Sequence, residues 1–181
     1  MGVPIHSTEV ISIDEKGSRN QLGVVGELAA KGPQIMKGYW NNKEETANVF
    51  TKDGYLRTGD SGYTSEDGVY VVGRIKDQIN SGGYKIWPHE VESVLLENEH
   101  VKEVAVVGIP DPTFGEVVKA FVVLKSPVKE EELKAFSRAR LSGYKVPRYF
   151  EFTESLPKSS VGKVLHRELR LQTDTFNKNN A

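Results

Sequence analysis

The run Leu156-Pro157-Lys158-Ser159-Ser160-Val161-Gly162-Lys163-Val164-Leu165-His166-Arg167-Glu168-Leu169-Arg170 sets one lysine, Lys163, on a glycine-containing loop just ahead of a helical pattern. A lysine so placed can be carried to an anionic ligand and withdrawn again with its loop. Its ammonium is a compact point charge on a long stem, suited to negative charge developing on phosphate or carboxylate oxygens. Gly162 lets the chain turn without a Cβ penalty. Taken alone, the same residues also describe a surface lysine in a loop. They do not describe a Walker phosphate loop, because Val164 stands where Ser or Thr is needed and position 157 is not glycine.

Two other segments carry charge and glycine at high density. Tyr55-Leu56-Arg57-Thr58-Gly59-Asp60 ends on a carboxylate. At the end of a strand, Asp60 can accept two hydrogen bonds from a vicinal diol such as ribose; the plainer alternative is that it caps a turn. The second segment runs from Gly73 to Glu92 and contains Arg74, Lys76, Ser81-Gly82-Gly83, Lys85 and Trp87-Pro88-His89. Paired glycines permit unusual dihedrals or close approach of a ligand chain. Arg74 and Lys85 suit anionic groups. The alternative here is a hairpin with solvated charges. Tyr84 and Trp87 read as packing residues, and His89 as an exposed residue in the first turn of a helix.

The elements that must hold these groups follow from periodicity. Up to Gly73 the pattern is mostly β. Thr8–Ile13 and Gly23–Ala30 read as strands, Asn42 as the N-cap of a short helix over 43–50, and Glu66-Asp67-Gly68 as a hairpin turn into a strand over 69–73. From Arg74 onward strands and helices mix. Strands are expected over 75–80, 101–109, 117–125 and 149–152. Helices are expected from Pro88 to about Asn98, over 130–141 with Leu133, Phe136 and Leu141 on one side, and from near Lys163. The fold class is α+β: a small β-rich, barrel-like subdomain over 1–73, then a small α+β domain of helices on a mixed sheet over 74–172, and a polar tail over 173–181.

Composition narrows the chemistry. The 181 residues carry a net charge of -1, so no nucleic-acid partner is implied. No cysteine occurs, which removes disulfides, thiolate metal sites and a cysteine nucleophile. The four histidines show no metal-ligand spacing, and no metal site is expected. No apolar run is long enough to span a bilayer, and the first residues lack the pattern of a signal peptide. A cytoplasmic protein is expected.

Taken in order and spacing, five segments resemble the adenylate-forming superfamily of acyl-CoA synthetases, peptide-synthetase adenylation domains and luciferases. They are Gly26-Glu27-Leu28, Gly32 to Trp40, Tyr55 to Asp60, Gly73 to Glu92 and Pro157 to Arg170. The form of Ser81-Gly82-Gly83-Tyr84-Lys85 is most similar to that of fatty- or aryl-acid CoA ligases. The resemblance implies that Asp60 binds the ribose hydroxyls of ATP or AMP, with Arg74 and Lys85 supporting the nucleotide. It implies that Lys76 is the hinge, in a connector at about 74–77. Gly82 and Gly83 then line the tunnel for the pantetheine arm of CoA, and Lys163 is the catalytic lysine between carboxylate and α-phosphate. The implied substrates are ATP, a carboxylic acid and CoA, with Mg²⁺ assisting. Family members are several hundred residues long, and the Ser/Thr/Gly-rich phosphate loop, adenine site and acyl pocket are not among these residues. The resemblance therefore implies a C-terminal fragment, inactive alone and with no cofactor bound, able to form a homodimer through surface left by a missing domain. The alternatives are a non-catalytic binding or regulatory module, and a fragment of a peptide-synthetase adenylation domain.

Overall fold

The computed structural model describes residues 1–178. The chain forms two compact units that divide between Lys76 and Asp77.

The first unit is a four-stranded antiparallel meander of β1 (Glu9–Ile13), β2 (Gly26–Lys31), β3 (Leu56–Ser65) and β4 (Gly68–Arg74), in that spatial order. The sheet is open: β1 and β4 are its two edges and do not pair with each other. The barrel expected from the sequence is absent because the run of strands stops at four, too few to close a cylinder around a filled interior. One face buries Ile11, Ile13, Ala29 and Tyr55. The start of β2 passes so close to β1 that a Cβ on Gly26 would lie 2.2 Å from the Ile13 carbonyl oxygen, so that position excludes any larger residue. The short helix α1 (Lys43–Val49) begins as expected at Asn42, whose Oδ1 accepts the Glu45 N–H at 3.0 Å. No residue of α1 is buried. Nearby, Trp40 is 91% exposed.

The second unit is built on a five-stranded mixed sheet. β5 (Ile79–Ser81) and β6 (Tyr84–Ile86) form a hairpin; α2 (Pro88–Leu96) follows; β7 (Val101–Asp111) and β8 (Gly115–Leu124) form a long hairpin; then come α3 (Glu130–Arg138), β9 (Tyr149–Phe152) and α4 (His166–Lys178). β8 is central. β7 pairs along one edge, while the other edge is shared by β5 at Ser81–Gly115 and by the parallel β9 at 119–122.

Alternation along β7 and β8 sorts their side chains to two faces. Val104, Val106, Val118, Ala120 and Val122 pack with Val91 and Leu95 of α2 and Leu133 of α3. Ala105, Val107, Ile109, Val117, Phe121 and Val123 pack with Leu156 and Leu169 of α4. The sheet is thus covered on both faces rather than by a single helical layer, which explains why β7 and β8 read as nearly continuous apolar runs. Each fully buried Val, Leu or Phe in these layers contributes about 1.5–3 kcal/mol.

Boundaries depart from the sequence reading where local side-chain bonds intervene. The expected strand over 75–80 is a 3₁₀ turn, Ile75–Asp77, followed by the shorter β5. Helix α3 stops at Arg138 rather than Leu141; it buries Leu133 and Ser137, and Ser137 Oγ bonds back to the Leu133 carbonyl at 2.8 Å. The last helix begins at His166, not near Lys163, and runs to Lys178, into the stretch expected as a polar tail. Residues 179–181 of that tail lie outside the described residues. Among the described residues no helix is long and apolar enough to cross a membrane.

Candidate functional site

Asp60 lies in β3 directly opposite Arg74 of β4, and Arg74 Nε donates to Asp60 Oδ1 at 3.1 Å. The two residues singled out from separate segments therefore form one half-exposed ion pair. A carboxylate in this position keeps lone pairs free for a diol, and the guanidinium keeps donors for an anion. Lys85 is exposed on β6 in the second unit, opposite Asn80. It is not part of the Asp60–Arg74 pair.

Gly82 and Gly83 form the turn between β5 and β6. Both have positive φ, 57° and 85°, which is the requirement of a tight hairpin turn. Gly82 N–H donates to the Phe114 carbonyl at 2.7 Å, tying this turn to the loop between β7 and β8. That loop is held by Asp111, whose Oδ1 accepts the N–H groups of Thr113 and Phe114 at 2.9 and 3.0 Å. These backbone bonds hold the Asp111 carboxyl below the usual carboxylate range.

Beside the glycine turn opens a cavity of about 440 Å³ lined in part by Gly82, Tyr84, Phe114, Tyr144, Arg138 and Arg148. Tyr84, read from the sequence as a packing residue, packs on a ring at the surface rather than in the core. It is exposed and stacks on Tyr144, with ring centroids 4.5 Å apart. Arg148 bonds Asp111 Oδ2 at 3.0 Å and lies 5.8 Å from the centre of the Phe114 ring. Aromatic faces and guanidinium groups in one cleft suit a flat base with phosphates attached. The sequence signal for this wall is the aromatic and basic character of Tyr144 to Arg148.

Lys163 stands at the end of a reverse turn. Gly162 N–H bonds the Ser159 carbonyl at 2.9 Å, Ser159 N–H bonds the Lys163 carbonyl at 2.8 Å, and Lys158 bridges to Val164. Both flanks of this loop are pinned. Lys158 Nζ lies 2.7 Å from Glu103 Oε2, and His166 Nε2 lies 2.9 Å from Glu92 Oε1, which also accepts the Val106 N–H. The Lys163 ammonium itself makes no hydrogen bond or ion pair among the described residues and is exposed. It is a cation displayed on a rigid finger.

The His166 anchor depends on pH. Its hydrogen bond to Glu92 raises the imidazole pKa, against the opposing effect of burial. A raised folded-state pKa adds stability that is complete below about 6.5 and is lost as pH rises through the folded value. The native chain is therefore expected to melt well above a Glu92→Gln variant at pH 5.5, with the gap narrowing by pH 8.5. A gap that stays constant or widens with pH, in thermal melts of both proteins, would show that the pair does not titrate in this way.

Residues 90–163 match the AMP-binding enzyme C-terminal domain. Over 181 residues the chain is 51% identical to the long-chain-fatty-acid–CoA ligase of Bacillus subtilis (strain 168), covering 98% of this chain and 32% of that protein. The chain carries the C-terminal domain of the AMP-binding enzymes.

Among solved members of this family, ATP-bound MatB from Rhodopseudomonas palustris matches with a TM-score of 0.91 at 34% identity, over 94% of this chain and 35% of that one. The o-succinylbenzoate CoA synthetase MenE of Bacillus subtilis, in complex with its acyl-adenylate intermediate, matches with a TM-score of 0.84 at 39% identity, over 92% and 34%. The chain spans about a third of the length of the relatives it matches. In this chain the segments that resemble family motifs are held by distinct devices. They are a paired carboxylate in a sheet, a two-glycine turn beside a cavity, and a pinned finger bearing lysine. Among the described residues no group of three or more His, Cys, Asp or Glu could hold a metal ion.

Proposed function

We propose that this chain is the nucleotide-contacting and mobile C-terminal third of an AMP-forming acid–thiol ligase that activates a fatty acid and passes it to CoA. In the first half-reaction a carboxylate oxygen attacks the α-phosphorus of ATP, the bond to the β-phosphate oxygen breaks, and pyrophosphate leaves. Lys163 stabilises the negative charge shared by the carboxylate and the α-phosphate. Asp60 holds the ribose hydroxyls and Arg74 orients Asp60. In the second half-reaction the CoA sulfur attacks the acyl carbon and AMP leaves, while the thiol proton passes to solvent. The pantetheine arm runs past Gly82 and Gly83, and the cavity beside them takes the phosphorylated adenine end of CoA between Tyr84, Tyr144 and Arg148.

The observation that carries this reading is the placement of the candidate groups on two separate units. The Asp60–Arg74 pair lies in one, while the Lys163 finger and the Gly82-Gly83 turn lie in the other. Lys76 closes the first unit, inside the 3₁₀ turn at the division. A single turn between two compact units is where a hinge absorbs dihedral change. The enzyme acts in the cytoplasm, where ATP and CoA are available together.

The test is an exchange. The matching third of the Bacillus subtilis ligase is replaced by residues 1–181, and acyl-CoA formation is followed with a series of fatty acids. Retained turnover is the expected result. A folded chimera that releases neither pyrophosphate nor acyl-CoA would overturn the reading. The 181 residues contain no Ser/Thr/Gly-rich phosphate loop, so the chain alone is expected to release no pyrophosphate above blank.

A further inference from the structure

The register between β2 and β3 breaks beside Asp60. Glu27 pairs with Ser61 and Ala29 with Arg57, so Leu28 alone faces three residues, Thr58, Gly59 and Asp60. Such a bulge re-aims side chains and leaves backbone groups without ladder partners. Here side chains supply them. Thr58 Oγ1 donates to the Leu28 carbonyl at 2.7 Å and accepts the Asp60 N–H at 3.1 Å. Gly59, with φ of 72°, donates its N–H to Glu27 Oε1 at 3.2 Å. Glu27 Oε2 accepts from Arg57 Nη1 at 2.7 Å. Glu27 is 14% exposed at its side chain, so these bonds are shielded from water.

We infer that Glu27 is a positioning residue for Asp60: its two carboxylate oxygens fix the middle of the bulge and one of its flanks, and so point Asp60 toward Arg74 and toward a bound nucleotide. One oxygen holds the backbone at Gly59, immediately before Asp60. The other fixes Arg57, where normal pairing resumes. This explains why a charged residue is retained almost buried between Gly26, which admits no Cβ, and Leu28, which is in the core. The inference rests on the proposed role of Asp60 as the ribose ligand.

The experiment titrates AMP into the Bacillus subtilis chimera that carries residues 1–181 and reads the heat of binding. It compares Glu27→Gln, Glu27→Ala and Asp60→Asn. Both Glu27 variants lose the ion pair to Arg57, so a purely structural role moves them together. Only Gln keeps an acceptor for Gly59. The positioning role therefore requires that Glu27→Ala weaken AMP binding by about tenfold or more, while Glu27→Gln recovers most of that loss. Equal weakening by Gln and Ala, or none by either while Asp60→Asn abolishes binding, overturns the positioning role and leaves the nucleotide reading standing. Unchanged binding in Asp60→Asn, or no saturable binding to the unsubstituted chimera, overturns the nucleotide reading and the positioning role with it.

Discussion

Lys163→Ala, placed in the Bacillus subtilis chimera, is expected to lower acyl-adenylate formation by about 10²–10³-fold, the usual cost of removing one preorganised charge at a developing anion. Thioester formation from supplied acyl-AMP is expected to be unchanged. The reason lies in the finger. Its two flanks are fixed by Lys158–Glu103 and His166–Glu92, while the Lys163 side chain bonds nothing among the described residues. Truncating it removes charge without removing packing, so folding stability stays within about 0.5 kcal/mol. Pyrophosphate exchange measures the first half-reaction, and AMP release from synthetic acyl-AMP and CoA measures the second. Equal loss in both would mean that Lys163 serves the fold or a shared binding step.

Gly83→Leu is expected to show the opposite split. A Cβ at Gly83 meets nothing within 4 Å, so the folded chain has room for a side chain there. The obstacle within the protein is conformational: φ is 85°, and a left-handed residue with a Cβ costs about 1–2 kcal/mol. Against a typical domain stability of about 5–15 kcal/mol the unit stays folded. The isobutyl group then occupies space that the reading gives to the pantetheine arm. Thioester formation is expected to fall about 10²-fold through misplacement of the thiol, with adenylation preserved. Gly83→Ala carries the same backbone strain with little bulk and separates the two causes. If alanine is as damaging as leucine, the turn's geometry matters and the open path does not.

The strands and helices that carry these groups were legible where one element decides its own pattern. Asn42 caps α1, Pro88 opens α2 and Tyr149–Phe152 is a strand with the bounds expected from its sequence. The pairing of Asp60 with Arg74 was not legible, because it depends on a register shift in β3–β4 at Ser61 and Gly62. The bulge set by Glu27 was hidden for the same reason: Glu27 and Gly59 are brought together only by strand pairing. The aromatic wall of the cavity joins Tyr84 to Tyr144, sixty residues later. Apolar runs in β7 and β8 told of burial but not of helices on both faces. That followed only once Leu169 of α4 was seen against one face and Leu133 of α3 against the other. The start of the last helix was misplaced because Gly162 and Lys163 close a hairpin turn first, and the helical repeat begins only at His166.

The function we propose would require the unit that starts at Asp77 to reorient against the unit that ends at Lys76. The chain has no cysteine, so two can be introduced as unique labelling points. Asp67 lies in the turn between β3 and β4, and Val161 lies on the Lys163 loop; both are exposed. Electron–electron distance measurement between spin labels at Asp67→Cys and Val161→Cys is expected to give a broad or two-peaked distribution, narrowed by Lys76→Pro through its fixed φ. One narrow distance, the same with lysine or proline at position 76, would contradict the account.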